Sequence, residues 1–493
     1  MAILGDSISA IGSNEEMEAY KGSNTTLLNA DSKFVVPGFI DTHVHFAEGG
    51  FNLSWVKLRD ASSLEDFSQR IKEFSQTVPE GTWILGGEWD GKTWGVLPKK
   101  ELIDSLTSKH PVFVTRLDGH IAVANSLALS LVGIDDNVED VQGGVIDRDS
   151  KNNLTGGLRD NTMNLVTDKS PPPSHEMFDK AIDNAMDYMV SHGVTSVHNV
   201  WYPTDFKGHP EAFLRAKKDG RLKVRIYDHR ALSDWQQQAD RVKAEGNGDK
   251  WLKTDGLKGV FDGALGSHTA YFMEPYTDSP KDSGILMFPE EDLNNWVKKA
   301  TDANLNVTIH AIGDRAINIT LNAFEKIQSD RKDVRFHIEH AQHIDSSDVP
   351  RFARLNVIPS MQPYHAIDDG RWAEGVIGSE RINEMYAFKS LMDAGATVAF
   401  GSDWPVAPAS PLWGIYAATT RRTLDGKNPN GWIPQERISV EQALTAYTIN
   451  GAYASFDEGI KGTLQPGKLA DFVILSENLF EINPAMIKNV KVL

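Results

Sequence analysis

The chain has 493 residues, a formal net charge of −18 and no cysteine. The missing cysteines exclude disulfides, thiolate metal sites and a cysteine nucleophile, so any metal must be held by nitrogen and oxygen ligands, for which 15 histidines are available. The acidic charge excludes general binding to nucleic acid or to an anionic membrane, and the sequence has no apolar run of about 18 residues that would predict a membrane span.

The two ends of the chain share one pattern. Residues 1–36 and 459–493 contain short strands and turns, which predicts a small β-domain built from both termini. Phe34–Phe46 predicts the first strand of a larger sheet, and roughly 150 residues separate it from the next strand, far more than one βα connection needs. We therefore predict that residues 60–175 form an inserted, substrate-covering subdomain.

From about residue 175 onward, short apolar runs alternate with amphipathic stretches. Ser174 precedes a predicted helix that closes at His192-Gly193, and further helices are predicted at Asp314–Gln328 and Glu380–Ala394. Seven more strands are predicted at Val194–His198, Val224–Tyr227, Leu257–Phe261, Val307–His310, Arg335–His340, Val357–Met361 and Thr397–Gly401. Eight βα units favour an α/β fold with a closed parallel barrel, formed by residues 37–59 and 176–458, whose active site lies at the C-terminal ends of the strands.

Several of these predicted strands end in metal-binding side chains. His43 and His45 stand two residues apart in a strand and therefore face the same way, although two half-exposed histidines would give the same pattern. His310 and His340 end two further strands, and Asp403 follows another. Four imidazoles and one carboxylate at one barrel mouth predict a site for zinc or a similar divalent metal.

Six segments resemble a known family when taken in chain order: PGFIDTHVHF, LKGVFDGALGSHTA, IHAIGDRA, RFHIEHAQ, GSDWPV and GTLQPGKLADFVIL. They resemble the amidohydrolase superfamily and, within it, the YtcJ-like amidohydrolase 3 group, which is similar to N-substituted formamide deformylase. The resemblance implies a distorted (β/α)8 TIM-type barrel with a small terminal β-sandwich domain and a large insertion after barrel strand 1.

The resemblance also implies roles for individual residues. His43 and His45 would bind the more buried of two zinc ions, and His310 and His340 would bind the second. The remaining ligands would be Lys258, N-carboxylated and bridging both ions, and Asp403, which would also shuttle a proton. The implied reaction is hydrolysis of a non-peptide C–N bond of the amide or formamide type by metal-activated hydroxide. Three carboxylates near the ligands in sequence are candidate partners for the ligand histidines: Asp41, Asp314 and Glu339.

Five further residues are candidate substrate contacts. Trp89, Asp90 and His120 lie in the insertion, and Trp404 directly follows the ligand aspartate. His268 stands where relatives are expected to have arginine, so specificity at this position would differ.

Three other functions fit the same residues. A mononuclear deaminase would leave Lys258 unmodified, a lactone or phosphoester hydrolase would use the same barrel, and an inactive amidohydrolase-like scaffold would use none of the chemistry. The expected partner is a small amide-type substrate, with no nucleic acid and no membrane, and a homodimer is compatible with the sequence. The default location is the cytoplasm. Relatives usually begin with another strand pair, so a secretion signal is not excluded.

Overall fold

The computed structural model describes residues 1–89, 94, 96–116, 121–141, 144–201, 208–328 and 334–493. The chain forms two compact units, one made of Met1–Gly49 with Ile182–Leu493 and the other of Gly50–Ala181. The three-part division with a separate terminal β-domain stays a prediction. None of the helices in the described ranges is long and apolar enough to cross a membrane.

The N-terminal part of the first unit contributes two small antiparallel pairings and the first long strand. Its elements are β1 (Ala2–Leu4), β2 (Ser7–Ala10), α1 (Asn14–Met17), β3 (Phe34–Pro37), β4 (Phe39–Val44) and α2 (Phe46–Ser54), the last of which runs into the second unit. Every residue of β4 is buried, as expected for a strand covered on both faces of a parallel sheet.

The second unit contains a six-stranded mixed sheet in the order β5-β6-β7-β8-β10-β9. Its strands are β5 (Val56–Lys57), β6 (Gly86–Trp89), β7 (Phe113–Arg116), β8 (Ile121–Ala124), β9 (Gly144–Arg148) and β10 (Leu154–Asp160). Its helices are α3 (Leu64–Ser75), α4 (Lys100–Asp104), α5 (Ser126–Leu131), α6 (Asn164–Thr167) and the start of α7 (His175–Ser191).

The rest of the first unit alternates strands with helices, as predicted. The strands are β11 (Val194–Asn199), β12 (Arg225–Ala231), β13 (Leu252–Val260), β14 (Asn306–Ala311), β15 (His337–His340), β16 (Ile358–Met361), β17 (Ala399–Phe400) and the terminal β18 (Phe472–Leu475). The helices are α8 (His209–Lys218), α9 (Trp235–Glu245), α10 (Glu290–Asp302), α11 (Asp314–Gln328), α12 (Val349–Arg354), α13 (Pro363–Asp369), α14 (Ala373–Arg381), α15 (Phe388–Asp393), α16 (Pro411–Thr420), α17 (Val440–Ala446) and α18 (Ile449–Ala454).

Eight parallel strands form the main sheet in the order β4-β11-β12-β13-β14-β15-β16-β17. A parallel bridge between Val44 and Trp404 joins the last strand to the first. Two hydrogen bonds of 2.8 Å support it, from Asp403 N to His43 O and from His45 N to Trp404 O. The predicted (β/α)8 barrel is therefore confirmed, and its closure fixes the backbone of four of the predicted site residues.

Each terminus adds strands outside the barrel. β18 pairs antiparallel with β3, with Val473 opposite Val36, and β1 pairs with β2. The capping box at the start of α17 has the expected form, because Ser439 and Gln442 exchange hydrogen bonds between side chain and backbone.

The predicted helix over Glu380–Ala394 is wrong. The α-helix ends at Arg381, a short 3-10 helix follows over Ile382–Glu384, and the next α-helix begins at Phe388. Tyr386 between them has a φ of 52°. Tyr386 is held in this conformation by tertiary contacts, since its N donates to Gln342 O at 2.9 Å and its hydroxyl donates to Asp369 Oδ2 at 2.5 Å. A positive φ at a non-glycine residue breaks the helical repeat.

The barrel interior contains buried histidines below the mouth. His229 on β12 packs against Gly256 on the neighbouring strand, where a Cβ would lie 2.5 Å from Cδ2 of the imidazole. Burial lowers the pKa of His229 to about 4 and that of His337 to about 4. Both rings are therefore neutral in the folded protein at neutral pH, whereas an unfolded histidine binds its proton below about pH 6.5.

The neutral state of His229 predicts acid-sensitive stability. Below about pH 6.5 the unfolded chain binds a proton that the native His229 does not, so stability is lost as the pH falls toward about 4. We expect this group to lower the free energy of unfolding by about 2 kcal/mol between pH 7 and pH 5, measured by urea unfolding. His229→Asn should flatten the dependence, whereas His175→Asn at an exposed position should not. An unchanged slope in His229→Asn would contradict the assignment.

Candidate metal centre

The predicted ligands all lie at the C-terminal ends of barrel strands. His43 is near the end of β4 and His45 follows it, His310 is in β14, His340 ends β15, and Asp403 follows β17. His43, His310, His340 and Asp403 are all buried. The side chain of His45 is 12% exposed. The strand ends therefore place these five side chains at one mouth.

Asp403 is the carboxylate that joins the first histidine pair. Its Oδ1 lies 3.3 Å from His43 Nε2 and 3.2 Å from His45 Nε2. His43, His340 and Asp403 each offer a ligand atom within 4.8 Å of the other two. Ligands about 2.0–2.2 Å from one ion have spacings of this order, so these donors fit a divalent metal.

The imidazole rings continue from this group across the mouth. The ring centroids of His43 and His340 are 4.8 Å apart, and those of His340 and His310 are 4.5 Å apart. The rings of His43 and His45 lie 5.4 Å apart. The structure thus brings together all four histidines and the aspartate. Their roles as ligands of particular ions stay predictions.

The second ring nitrogen of each of two histidines is bonded to a buried acceptor. His43 Nδ1 bonds to Glu339 Oε2, which crosses the barrel from β15, and His340 Nδ1 donates to Gln362 Oε1 at 2.8 Å. These partners leave Nε2 of each histidine for the site. Metal-binding histidines are commonly oriented in this way by an outer acceptor.

The charges of the group suit a metal. Burial lowers the pKa of His310 to about 3, helped by the charge of Lys258, and it lowers the pKa of His340 well below the ordinary value. Burial alone would raise the pKa of Asp403, but the neighbouring His43, His45 and His340 hold it well below its usual range. His310 and His340 are therefore neutral and Asp403 is ionised, which are the protonation states a divalent ion requires. Burial and the charge of Lys258 would lower the pKa of His43, but the charges of Glu339 and Asp403 outweigh them, so that this pKa is instead raised.

Lys258 lies inside the barrel on β13, with only 1% of its surface exposed. Its backbone is in register with Ala231 on one side and Thr308 on the other. Its positive charge adds to the effect of burial in lowering the pKa of His310. Burial would raise the pKa of Glu339, but the charges of His43 and Lys258 lower it to about 2. The lysine is therefore close to the ligand group, and its carboxylation stays a prediction.

The three carboxylates proposed as partners have different environments. Glu339 does hold His43, and Asp41 accepts hydrogen bonds from the backbone N of Ser402 at 2.8 Å and of His43 at 3.2 Å. Asp314 instead accepts from Met273 N at 2.7 Å and contacts no ligand histidine among the bonds the described residues show. Asp41 therefore fixes the backbone of two strand ends, and only Glu339 bonds to a ligand ring.

Sequence reasoning missed two residues that organise the mouth. Asp262 accepts hydrogen bonds of 2.9 Å from the backbone N of Tyr271, Ile312 and Gly313, and its Oδ1 lies 3.5 Å from His310 Nε2. Burial raises the pKa of Asp262 to about 7. Gln362 is the second. The only signal in the sequence was that both polar residues directly follow an apolar strand.

The candidate substrate residues have different surroundings, and two of them lie outside the described residues. Trp89 is fully buried in the second unit, where it packs on Phe67 and donates to Val114 O at 3.2 Å. Asp90 and His120 lie outside the described residues. His268 Nε2 is 2.9 Å from Asp278 Oδ1 and its ring lies on Tyr276.

Trp404 is 5% exposed and is stacked on Tyr188 with ring centroids 5.1 Å apart. Its carbonyl accepts the His45 N bond that closes the barrel, and its ring fills the space beside Gly49, where a Cβ would lie 2.1 Å from it. These packing contacts account for the burial of Trp404. Substrate contact by any of the five candidate residues stays a prediction.

Glu339→Gln tests the outer partner of His43. We expect the variant to bind zinc about 10–100-fold more weakly, because the amide no longer orients and charges the His43 ring. Competition with a chelating dye at fixed pH measures the affinity. Glu436→Gln is the matched control, since Glu436 is also buried but bonds to Ser390. Equal zinc affinities in the two variants would contradict the role of Glu339.

The chain belongs to the amidohydrolase family, whose family model matches residues 26–493. It is similar to Protein LONG AFTER FAR-RED 3 of Arabidopsis thaliana, with 38% identity over 98% of this chain and 84% of that protein. It is also similar to the putative amidohydrolase YtcJ of Bacillus subtilis, with 31% identity over 97% of this chain and 91% of that protein. N-substituted formamide deformylase of Arthrobacter pascens is 25% identical over 100% of this chain and 92% of that protein.

A solved structure has the same fold. The crystal structure of an uncharacterized metal-dependent hydrolase from Pyrococcus furiosus gives a TM-score of 0.80 at 28% identity, covering 98% of this chain and 95% of that one. The resemblance drawn from the six sequence segments is therefore confirmed. The chain is a hydrolase of the amidohydrolase family, and membership in that family implies a divalent metal.

Proposed function

We propose that the protein hydrolyses a non-peptide C–N bond of the amide or formamide type. The observation that carries the proposal is the position of Asp403, an ionised carboxylate whose Oδ1 lies against two buried histidines at the barrel mouth. The similarity to N-substituted formamide deformylase over the full chain supports the bond type.

Under this proposal, His43 and His45 hold one divalent ion and His310 and His340 hold a second. Lys258, as its N-carboxylate, would supply a bridging ligand from β13. A bound divalent ion supplies acidified water, because it lowers the pKa of that water from about 15.7 to about 7. Zinc suits the nitrogen and oxygen donors that the chain offers.

The protein's own contribution to the chemistry is proton transfer by Asp403. Its low pKa keeps the carboxylate ionised and able to accept a proton from water at neutral pH. Oδ1 is turned to His43 and His45, so Oδ2 is the oxygen left to carry that proton to the leaving nitrogen. General acid and base catalysis of this kind contributes about 10²–10⁴-fold to a rate.

A hydrolysis panel tests the proposal and separates the alternatives. Zinc-loaded wild-type protein and Asp403→Asn are assayed on N-formyl amines, N-acyl amino acids, cyclic amides, amino-substituted heterocycles, lactones and phosphomonoesters. We expect Asp403-dependent hydrolysis of the N-formyl or N-acyl amines. Activity confined to ring deamination, or to lactones and phosphoesters, would overturn the bond type, and a metal-free protein inactive on every compound would favour a scaffold.

A further inference from the structure

His365 is a histidine at the barrel mouth that the proposed ligand set does not use. It lies in α13, directly after β16, and its side chain is 16% exposed. Its Nε2 is 3.8 Å from Asp403 Oδ2, on the opposite side of the carboxylate from His43 and His45. The aspartate therefore stands between two ligand histidines and a third imidazole.

The Nε2 atom of His365 is buried, and it has no hydrogen-bond partner within the part of the chain that the structure describes. A buried polar nitrogen without a partner is costly and calls for an explanation such as a catalytic role or a bound ligand. The distance of 3.8 Å is too long for a direct hydrogen bond with Asp403. A ligand atom can nevertheless hydrogen-bond to both groups. An atom about 2.9 Å from His365 Nε2 and about 2.9 Å from Asp403 Oδ2 is compatible with their separation of 3.8 Å.

His365 lies in a hydrogen-bonded turn beside His340. Its backbone N donates to Gln362 O at 3.1 Å, and the side chain of the same Gln362 accepts from His340. The His365 ring lies nearly parallel to the His340 ring, at an interplanar angle of 10°. One turn further along α13, Asp369 is fixed by Gln342 at 2.7 Å and by Tyr386 at 2.5 Å. The turn that carries Gln362, the partner of His340, thus also fixes the backbone of His365.

We propose that His365 is a catalytic residue that binds the leaving nitrogen of a secondary amide. This inference rests on the proposed function. Nε2 accepts the hydrogen bond of the substrate N–H, which turns the nitrogen lone pair toward Asp403 Oδ2. The oxygen of water bonds to the amide carbon while one proton of that water goes to Asp403 Oδ2. The proton then passes from Oδ2 to the nitrogen, the C–N bond breaks with its electron pair going to nitrogen, and the carbonyl of the acid product re-forms. Water and amide give acid and amine, with no other reactant.

The proposal predicts a preference for substrates that carry an N–H. Three probes of one chain length differ at the leaving atom: N-butylformamide has an N–H, whereas N-butyl-N-methylformamide and butyl formate have none. His365→Phe keeps a ring beside His340 but removes the acceptor. We expect it to lower kcat/KM for N-butylformamide about 10–100-fold, which is the effect of losing one hydrogen bond. The kcat/KM for butyl formate should stay within about threefold of the wild-type value, because the ester has no N–H to bind.

Two more measurements separate this role from a structural or metal-binding one. His365→Gln, whose side-chain oxygen accepts a hydrogen bond, should restore part of the N-butylformamide activity, and His175→Gln at an exposed position should match wild type. The zinc content of His365→Phe, measured by emission spectrometry, should equal that of wild type.

Each unfavourable outcome has one meaning. Equal losses on the amide and the ester, or loss of zinc, would overturn the role of His365. If His365→Phe does not fold, the ratio of amide to ester activity in His365→Ala decides in the same way. If wild-type protein hydrolyses the ester but neither formamide, or none of the three and no other amide, the proposed function itself fails.

Discussion

Asp403→Asn is expected to reduce kcat/KM for an amide substrate by about 10³-fold, within the range for a general acid and base. The amide side chain cannot accept the proton that the ionised carboxylate accepts at neutral pH. It also removes the negative charge that lies 3.3 Å from His43 and 3.2 Å from His45. Initial rates on the preferred amide, together with thermal unfolding, measure the effect.

The matched control is Asp471→Asn. Asp471 is also paired with a cation, Arg225, at 2.7 Å, but it lies beside the small terminal sheet rather than at the barrel mouth. We expect it to lower the thermal midpoint without lowering kcat/KM. A tenfold or smaller loss in Asp403→Asn, at unchanged zinc content, would show that another group moves the proton.

Lys258→Ala should lower metal content and activity together. Wild-type protein is expected to bind about two divalent ions per chain, as in other two-metal sites, and the variant at most one. The bridging ligand would be lost, and a cavity would be left in a position that is now completely buried. Emission spectrometry of dialysed protein gives the stoichiometry, and the hydrolysis assay gives the rate.

Lys461→Met controls for the loss of a buried lysine. Lys461 is 5% exposed and donates to Ser196 Oγ at 2.9 Å, so its removal should cost stability but leave the metal content unchanged. Two ions and full activity in Lys258→Ala would rule out Lys258 as the bridging ligand. One ion in the wild-type protein would favour the mononuclear deaminase.

Sequence periodicity predicted the secondary structure correctly where a segment depends on local contacts and on burial of one face or of both. Asp314–Gln328 forms a helix with the predicted bounds, and the buried run of β4 forms the first barrel strand. The helix predicted over Glu380–Ala394 failed because Tyr386 is bonded to Asp369 and Gln342, residues distant in sequence. A local pattern carries no information about such partners.

The candidate metal centre shows the same difference between what local sequence predicts and what distant partners decide. The sequence alone determined the barrel and the side chains at its strand ends, since strand direction and alternation dictate that His43, His45, His310, His340 and Asp403 meet at one mouth. Only the tertiary structure decided what surrounds them: Glu339 reaches His43 across the barrel, Gln362 orients His340, and His365 faces Oδ2 of Asp403. The physical reason is that a strand's own sequence sets which way its side chains point, whereas hydrogen-bond partners from other strands are set by the closure and register of the whole barrel.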